Sequence, residues 1–250
     1  MLLELKNIGM KYHDPAGEVC AVEDVSLCVD EGEFVSIAGP SGCGKSTLLS
    51  IITGLLAPSC GEFRIDGRPG GSRARTDVGF MPQRDQLFEW RSIRANVQLG
   101  LEIQQRLDKA GRQRCEELLE KYGLAEFARK RPSQLSGGMR QRAALIRTLA
   151  TDPRLLLLDE PFSALDYQTR LRVADEVSGI IRQEGKAALL VTHDISEAVS
   201  LSDRVVVLSG RPSSVISVHN ISLGLSPIKA RELPEFRIHF NNIWKELESS

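Results

Sequence analysis

Gly39-Pro40-Ser41-Gly42-Cys43-Gly44-Lys45-Ser46 fits the spacing G-x-x-x-x-G-K-[S/T] at every fixed position, the arrangement that wraps backbone around a phosphate chain. Residues 34–38 ahead of it are mostly apolar and read as a short buried strand, and residues 47–53 behind it read as a helix stopped by Gly54. Strand, turn and helix in that order are what the mechanism needs. The glycines let the chain curl until successive N–H groups point at one spot, and the helix adds the partial positive charge of its N-terminus. In that setting Lys45 reaches the β- and γ-phosphates and the Ser46 hydroxyl ligates magnesium. A Gly/Ser turn that happens to precede a lysine is the plain alternative, and the flanking strand and helix weigh against it.

The chain has 250 residues, 42% of them apolar and 26% charged, enough to bury the core of one large domain or two small ones. Its formal net charge of −1 gives no global attraction to nucleic acid or anionic lipid. Arg129-Lys130-Arg131 reads as a solvated face. Cys20, Cys28, Cys43, Cys60 and Cys115 are odd in number, scattered and without a C-x-x-C pair, which predicts free thiols in a reducing compartment and no structural zinc. The first residues lack a signal-peptide layout, and no apolar run approaches the ~20 residues that span a bilayer. Any membrane role is expected to run through a partner.

Residues 3–8 and 21–29 alternate apolar and polar side chains, as in Val22, Val25, Leu27 and Val29, which predicts half-buried antiparallel strands. Tyr12 stands ahead of a Pro/Gly turn and, on spacing alone, reads as a packed strand-end aromatic. Strands are also expected at residues 61–65 and 77–81, the second running into Pro82-Gln83, where a polar group faces a ligand well. Residues 92–150 change to helical periodicity, with helices expected at 92–101, 114–122 and 138–150 and no strand. Within them Ser136 caps a helix opened by Gly137 and Gly138. That is a second cradle of N–H groups with no phosphate loop of its own, and a second copy of the chain can supply the phosphate; a Gly-rich loop and nothing more is the other reading.

Residues 155–158 are four leucines followed by Asp159-Glu160, a run suited to a central parallel strand. Asp159 at the strand end can hold magnesium, usually through water, and Glu160 can take a proton from an attacking water; the bland reading puts both in a solvated turn. Leu171, Ala174, Val177 and Ile181 recur at helical spacing, and residues 187–191 form another apolar strand leading into Thr192-His193-Asp194. A lone histidine there is more often structural than a ligand contact. Further strands are expected at 205–208 and 214–218, and Phe236, Phe240, Ile243 and Leu247 form the docking stripe of a terminal helix opened near Pro234.

From end to end the chain resembles the ATP-binding subunit of an ABC transporter. The resemblance implies an α/β fold: a P-loop NTPase (RecA-like) core with an antiparallel β subdomain and a helical insert, the core being residues 1–83 and 151–250 and the insert 84–150. Tyr12 resembles the aromatic that stacks on adenine, and Gly39, Pro40, Ser41, Gly42, Cys43, Gly44, Lys45, Ser46 and Thr47 resemble the ATP phosphate site. Gln83 looks like the glutamine that approaches magnesium and the attacking water and relays contact with the membrane subunit. Residues 135–139 resemble the signature motif, whose Ser136, Gly137 and Gly138 cap the γ-phosphate held by the opposite subunit. Residues 155–159 are similar to Walker B, with Asp159 on magnesium, Glu160 the catalytic glutamate, Asp166 in the D-loop that faces the opposite subunit, and His193 the switch histidine. The implied cofactors are ATP and Mg2+, and the implied assembly is a head-to-tail homodimer in the nucleotide-bound state.

Met139 stands where the commonest signature has Gln, so its amide contact is lost while Ser136 and the glycines remain. Met139, Met81-Pro82-Gln83-Arg84-Asp85 and Trp90-Arg91 resemble the importer branch for nitrate, taurine and aliphatic sulfonates, with Glu89 where that branch often has Pro. That branch implies permease subunits and, indirectly, an extracytoplasmic solute-binding protein, at the cytoplasmic face of a bacterial plasma membrane, with no nucleic acid. A soluble ABC ATPase acting as a clamp or scaffold is the alternative; it usually carries a coiled-coil insert, tandem halves or a basic stripe, which this sequence lacks. A P-loop kinase or GTPase would lack the Ser136-Gly137-Gly138 and His193 regions. Trp90, with Leu87 and Phe88 beside it, is expected to anchor the membrane subunit just after Gln83.

Overall fold

The structure, a computed structural model, describes residues 1–14, 17–70, 77–221 and 223–249. Its first two strands, β1 (Leu3–Asp14) and β2 (Gly17–Val29), pair antiparallel with Leu3 opposite Val29 and Tyr12 opposite Val19. They outrun the alternation in the sequence, so Tyr12 lies within β1, and the turn at Pro15 falls outside the described residues. β3 (Phe34–Ala38) leads to α1 (Lys45–Ile52), and β4 (Cys60–Ile65), β5 (Arg68–Pro69) and β6 (Val78–Met81) follow. Then come α2 (Ile93–Ile103), α3 (Lys109–Lys121), α4 (Gly137–Leu149), β7 (Leu155–Asp159), α5 (Tyr167–Gln183), β8 (Ala187–Thr192) and α6 (Ile195–Leu201). β9 (Arg204–Leu208), β10 (Val215–Asn220), α7 (Pro227–Ala230) and α8 (Pro234–Glu248) close the chain.

Two sheets result, in the orders β2-β1-β4-β5 and β10-β9-β3-β8-β7-β6. In the larger, β6, β7, β8, β3 and β9 run parallel and β10 adds an antiparallel edge. Its central strands are mostly apolar, as suits strands covered on both faces by helices or the other sheet: every residue of β3 and β8 is buried, the polar Ser36 and Thr192 included. One apolar cluster fills the space between the sheets and takes in α1 through Leu48 and Ile51. A second covers the opposite face and joins Val97, Leu119 and Leu145 of the helical segment to Leu156 and Ile181. Phe236 and Ile243 of α8 are buried in a third with Val205 and Val207, so the terminal stripe docks as its spacing predicts.

Among the described residues no strand lies between Met81 and Leu155, as the helical periodicity requires. Among the expected helices the largest boundary difference is at α3, expected from 114 and observed from Lys109. Asp108 accepts a hydrogen bond from the Gly111 N–H at 2.8 Å and so caps a polar first turn that hydrophobic periodicity does not register.

The segment joining β6 to α2 is held from behind by α4. Arg140 bonds both carboxylate oxygens of Asp85, at 2.8 and 3.1 Å, and Glu89 at 2.7 Å; Arg147 donates to the carbonyls of Asp85 and Gln86, each at 2.7 Å. Leu87 is buried beneath this lattice, whereas Trp90 is 71% exposed and stacked on Phe88 at 4.7 Å. Leu87→Ala is therefore expected to cost about 2–5 kcal/mol in denaturant unfolding. Trp90→Ala should cost no more than about 1 kcal/mol, the worth of one exposed aromatic pair. Equal losses in the two variants would contradict this division.

Candidate active site

β3 ends at Ala38 and the chain turns through the phosphate loop into α1. Gly44 sits at φ 109°, and a side chain there would bring a Cβ within 2.9 Å of the Ala21 carbonyl oxygen, so only glycine fits. No side chain caps α1 and no acid lies in its first turn, leaving the N–H groups and their partial positive charge free to meet an anion. Lys45 is 5% exposed, and its Nζ donates to the Gly39 and Pro40 carbonyls at 2.8 Å each. Its charge is thus held over the loop by weak carbonyl dipoles that a phosphate would outbid. The Tyr12 hydroxyl is 3.2 Å from Thr47 Oγ1 of α1 while the residue stays 37% exposed, which leaves aromatic surface free next to the loop.

β7 delivers the two carboxylates. Ser46 Oγ donates to Asp159 Oδ1 at 3.1 Å, bringing a hydroxyl and a carboxylate to one point. Burial pushes the Asp159 carboxyl above its usual range, the Ser46 hydrogen bond opposes this, and the neighbouring Glu160 charge adds to it. Among the described residues no three His, Cys, Asp or Glu side chains converge as a metal cage. A divalent ion at Ser46 and Asp159 would complete its shell with phosphate and water oxygens, the way magnesium is commonly held.

Glu160 adopts φ 43°, a left-handed backbone rare outside glycine, and its N–H donates to the Val191 carbonyl at 2.9 Å. The turn sets its Oε2 3.0 Å from His193 Nδ1 and 3.4 Å from Gln83 Nε2. Ser163, which spacing did not single out as a site residue, bridges this group: its hydroxyl donates to the Glu160 carbonyl at 2.9 Å and lies 3.3 Å from Gln83 Nε2. Gly39, Pro40, Ser41, Glu160 and His193 line one cavity of about 490 Å³ together with Trp244 of α8.

The second glycine pair lies elsewhere. Ser136 accepts from the Met139 N–H at 3.4 Å and caps α4; a Cβ on Gly138 would come within 2.8 Å of Val173 on α5. Asp166 caps α5 by accepting from the Thr169 N–H at 3.1 Å. Ser136, Gly137, Gly138 and Asp166 share a cavity of about 550 Å³ that includes no phosphate-loop residue. Met139 packs its side chain against the core, a role an exposed glutamine amide would not fill.

Behind His193, Glu197 is 3% exposed and accepts from Thr192 Oγ1 at 2.9 Å. Burial, then the charge of Asp194, pushes its carboxyl up to about 7, against the opposing pull of the Thr192 hydrogen bond, Arg170 and Arg231. Sequence reasoning passed over Glu197 and Arg170, and took Asp85 and Arg140 as marks of the importer branch without seeing that they pair. A basic residue in the first or second turn of a helix and an acid just past Gln83 were the available signals.

Residues 22–163 match the ABC transporter family, more than half of the chain. The chain belongs to the ABC transporter family. This ABC cassette is 44% identical over 250 residues to the uncharacterized ABC transporter ATP-binding protein YtlC of Bacillus subtilis, covering 99% of this chain and 96% of that one. It is 42% identical over 217 residues to the taurine import ATP-binding protein TauB of Roseobacter denitrificans, covering 85% and 80%. A solved dimeric structure of the ATP-binding cassette MJ0796 in a post-hydrolysis state, bound to ADP and Pi, superposes with a TM-score of 0.75 at 34% identity, over 88% of this chain and 99% of that one. The cassette is an ATPase of the transport-coupled kind with the ABC form of the P-loop fold.

Because the folded pKa of Glu197 stands above its ordinary 4.5, the folded cassette binds the extra proton between about pH 4.5 and 7. Stability from this group is present below that window and lost as pH rises through it. Unfolding free energies of wild type and Glu197→Gln, compared from pH 5 to 7.5, should show wild type declining relative to the variant as pH rises. A pH-independent difference would contradict the assignment.

Proposed function

We propose that the cassette hydrolyses ATP at a site completed by a second copy, and that this energises an importer for taurine, nitrate, a sulfonate or a similar small solute. The supporting observation is the meeting of Lys45, Ser46, Asp159, Glu160, Gln83 and His193 where β3, β7 and β8 end. Tyr12 stacks on adenine, and the loop from Gly39 to Thr47 holds the phosphates, with Lys45 turning from its two carbonyls to the β- and γ-oxygens. Ser46, Asp159 and Gln83 would hold magnesium, whose chemistry is to neutralise phosphate charge. Glu160 takes a proton from water attacking the γ-phosphorus while His193 fixes its carboxylate. The second copy contributes Ser136, Gly137, Gly138 and Asp166; the dimeric state described for the MJ0796 cassette and the separation of the two cavities support this.

The importer reading draws on the TauB relatives and on the branch motifs. In it residues 1–83 and 151–250 are the catalytic core and residues 84–150 the helical part. Among the described residues no helix is long and apolar enough to cross a membrane. The cassette binds permease subunits at the cytoplasmic face of a bacterial plasma membrane, and an extracytoplasmic protein delivers the solute. Trp90, exposed while its neighbour Leu87 is buried, is the permease anchor.

Glu160→Gln is expected to keep ATP binding and to accumulate as a dimer with magnesium and ATP, because the base is removed while the phosphate loop is intact. Size-exclusion chromatography with a turnover assay checks this; a monomer hydrolysing at the wild-type rate rejects Glu160. Trp90→Ala should lose permease in co-purification while the free subunit still hydrolyses ATP. Undiminished permease recovery would remove Trp90 from that surface.

A further inference from the structure

Arg170 sits in the first turn of α5, next to the Asp166 cap. Its side chain runs back toward the helix N-terminus, as helical side chains do, and Nη2 donates to the Leu165 carbonyl at 3.0 Å. The other side of the guanidinium faces the loop that carries His193: Nη1 is 3.7 Å from Asp194 Oδ2, and Nε is 3.9 Å from Glu197 Oε1.

Those carboxylates are themselves fixed to the histidine loop. Asp194 follows His193 directly and caps α6 by accepting from the Ser196 and Glu197 N–H groups at 2.8 and 3.2 Å. Thr192, immediately before His193, donates its hydroxyl to Glu197 and accepts from the Asp194 N–H at 3.0 Å. His193 is therefore held on both sides by groups that Arg170 faces. Glu197 is almost wholly buried, and Arg170 Nε is buried with no hydrogen-bond partner. A movement of about 1 Å would turn that 3.9 Å approach into a hydrogen bond, so the contact is close to forming and unformed in this state.

We propose that Arg170 is a positioning residue that straps residues 163–166 to the Thr192–Asp194 loop, so that the partner-facing segment and His193 move as one body. This rests on the reading of Glu160 and His193 as the hydrolytic group and of Asp166 as facing a second copy. A rigid fork with five donors can hold a backbone carbonyl and two carboxylates together; a lysine can not cover all three. When a second copy presses on Leu165 and Asp166, the strap carries that displacement to the loop that sets His193 against Glu160.

Hydrogen exchange of the nucleotide-free chain tests the strap without relying on catalysis. Arg170→Gln should raise exchange by roughly tenfold at both 163–167 and 193–197, leaving β7 and α4 unchanged. ATP turnover at saturation should fall roughly tenfold with KM within about twofold, since nothing that binds ATP is altered. Faster exchange at one segment only, or undiminished turnover beside an active wild type, overturns the strap. If wild type hydrolyses no ATP, the reading of the site fails, while the exchange result still decides the strap. Should Arg170→Gln not fold, Glu197→Gln replaces it, compared with wild type at about pH 8.5, where Glu197 is ionised: this keeps the Thr192 contact, removes the charge Arg170 faces, and should raise exchange at 163–167 as well as 193–197. Unchanged exchange at 163–167 in that variant is equally decisive against the proposal.

Discussion

Three adjacent parallel strands end at one edge of a sheet, and the chemistry depends on that alignment. Ala38 of β3 is level with Thr192 of β8, and Val191 of β8 is level with Asp159 of β7. The phosphate loop, the carboxylate pair and the histidine leave the sheet at the same height. Both faces of these strands are buried, Leu156 and Leu158 in one apolar cluster and Leu155 and Leu157 in another, so a slip by one residue would exchange side chains fitted to different surroundings. The core thereby sets the site's geometry to within hydrogen-bond tolerances. Glu160 then adopts a left-handed backbone that an exposed turn would relax, and the bond from its N–H to the β8 carbonyl keeps it there.

Charge is distributed to suit a substrate more anionic than anything in the protein. The mouth of the site holds an uncapped helix N-terminus and a lysine resting on carbonyl oxygens. The nearest acids, Asp159 and Glu160, are engaged by Ser46 and by His193 with Gln83. Ser136 and its glycines offer the same kind of donor surface on a different flank. In the proposed function these are the two halves of one phosphate-binding surface, and in a single chain they face different cavities. The proposed head-to-tail pair would bring complementary halves together twice.

Where local chemistry decides structure, the sequence was easily read. The phosphate loop, the apolar run into Asp159-Glu160, the Ser136 cap and the amphipathic α8 all sit where their spacing predicts. Periodicity could not find α3's first turn, whose start is signalled by the Asp108 cap in a polar stretch, nor the full length of β1 and β2, which pair through irregular register shifts. The links that orient the site were hidden for a different reason. Arg140 to Asp85 and Arg170 to the Leu165 carbonyl join residues that only tertiary packing brings together. A charged residue on a helix reads as solvated until its partner is seen.

In the proposed function the site is complete only when two copies meet. The most direct measurement is ATP turnover per subunit across a hundredfold range of subunit concentration, with mass determined by light scattering in the same samples. The composite site predicts that turnover per subunit rises steeply with concentration and follows the dimer fraction. Constant turnover per subunit in samples that scatter as monomers throughout would contradict it.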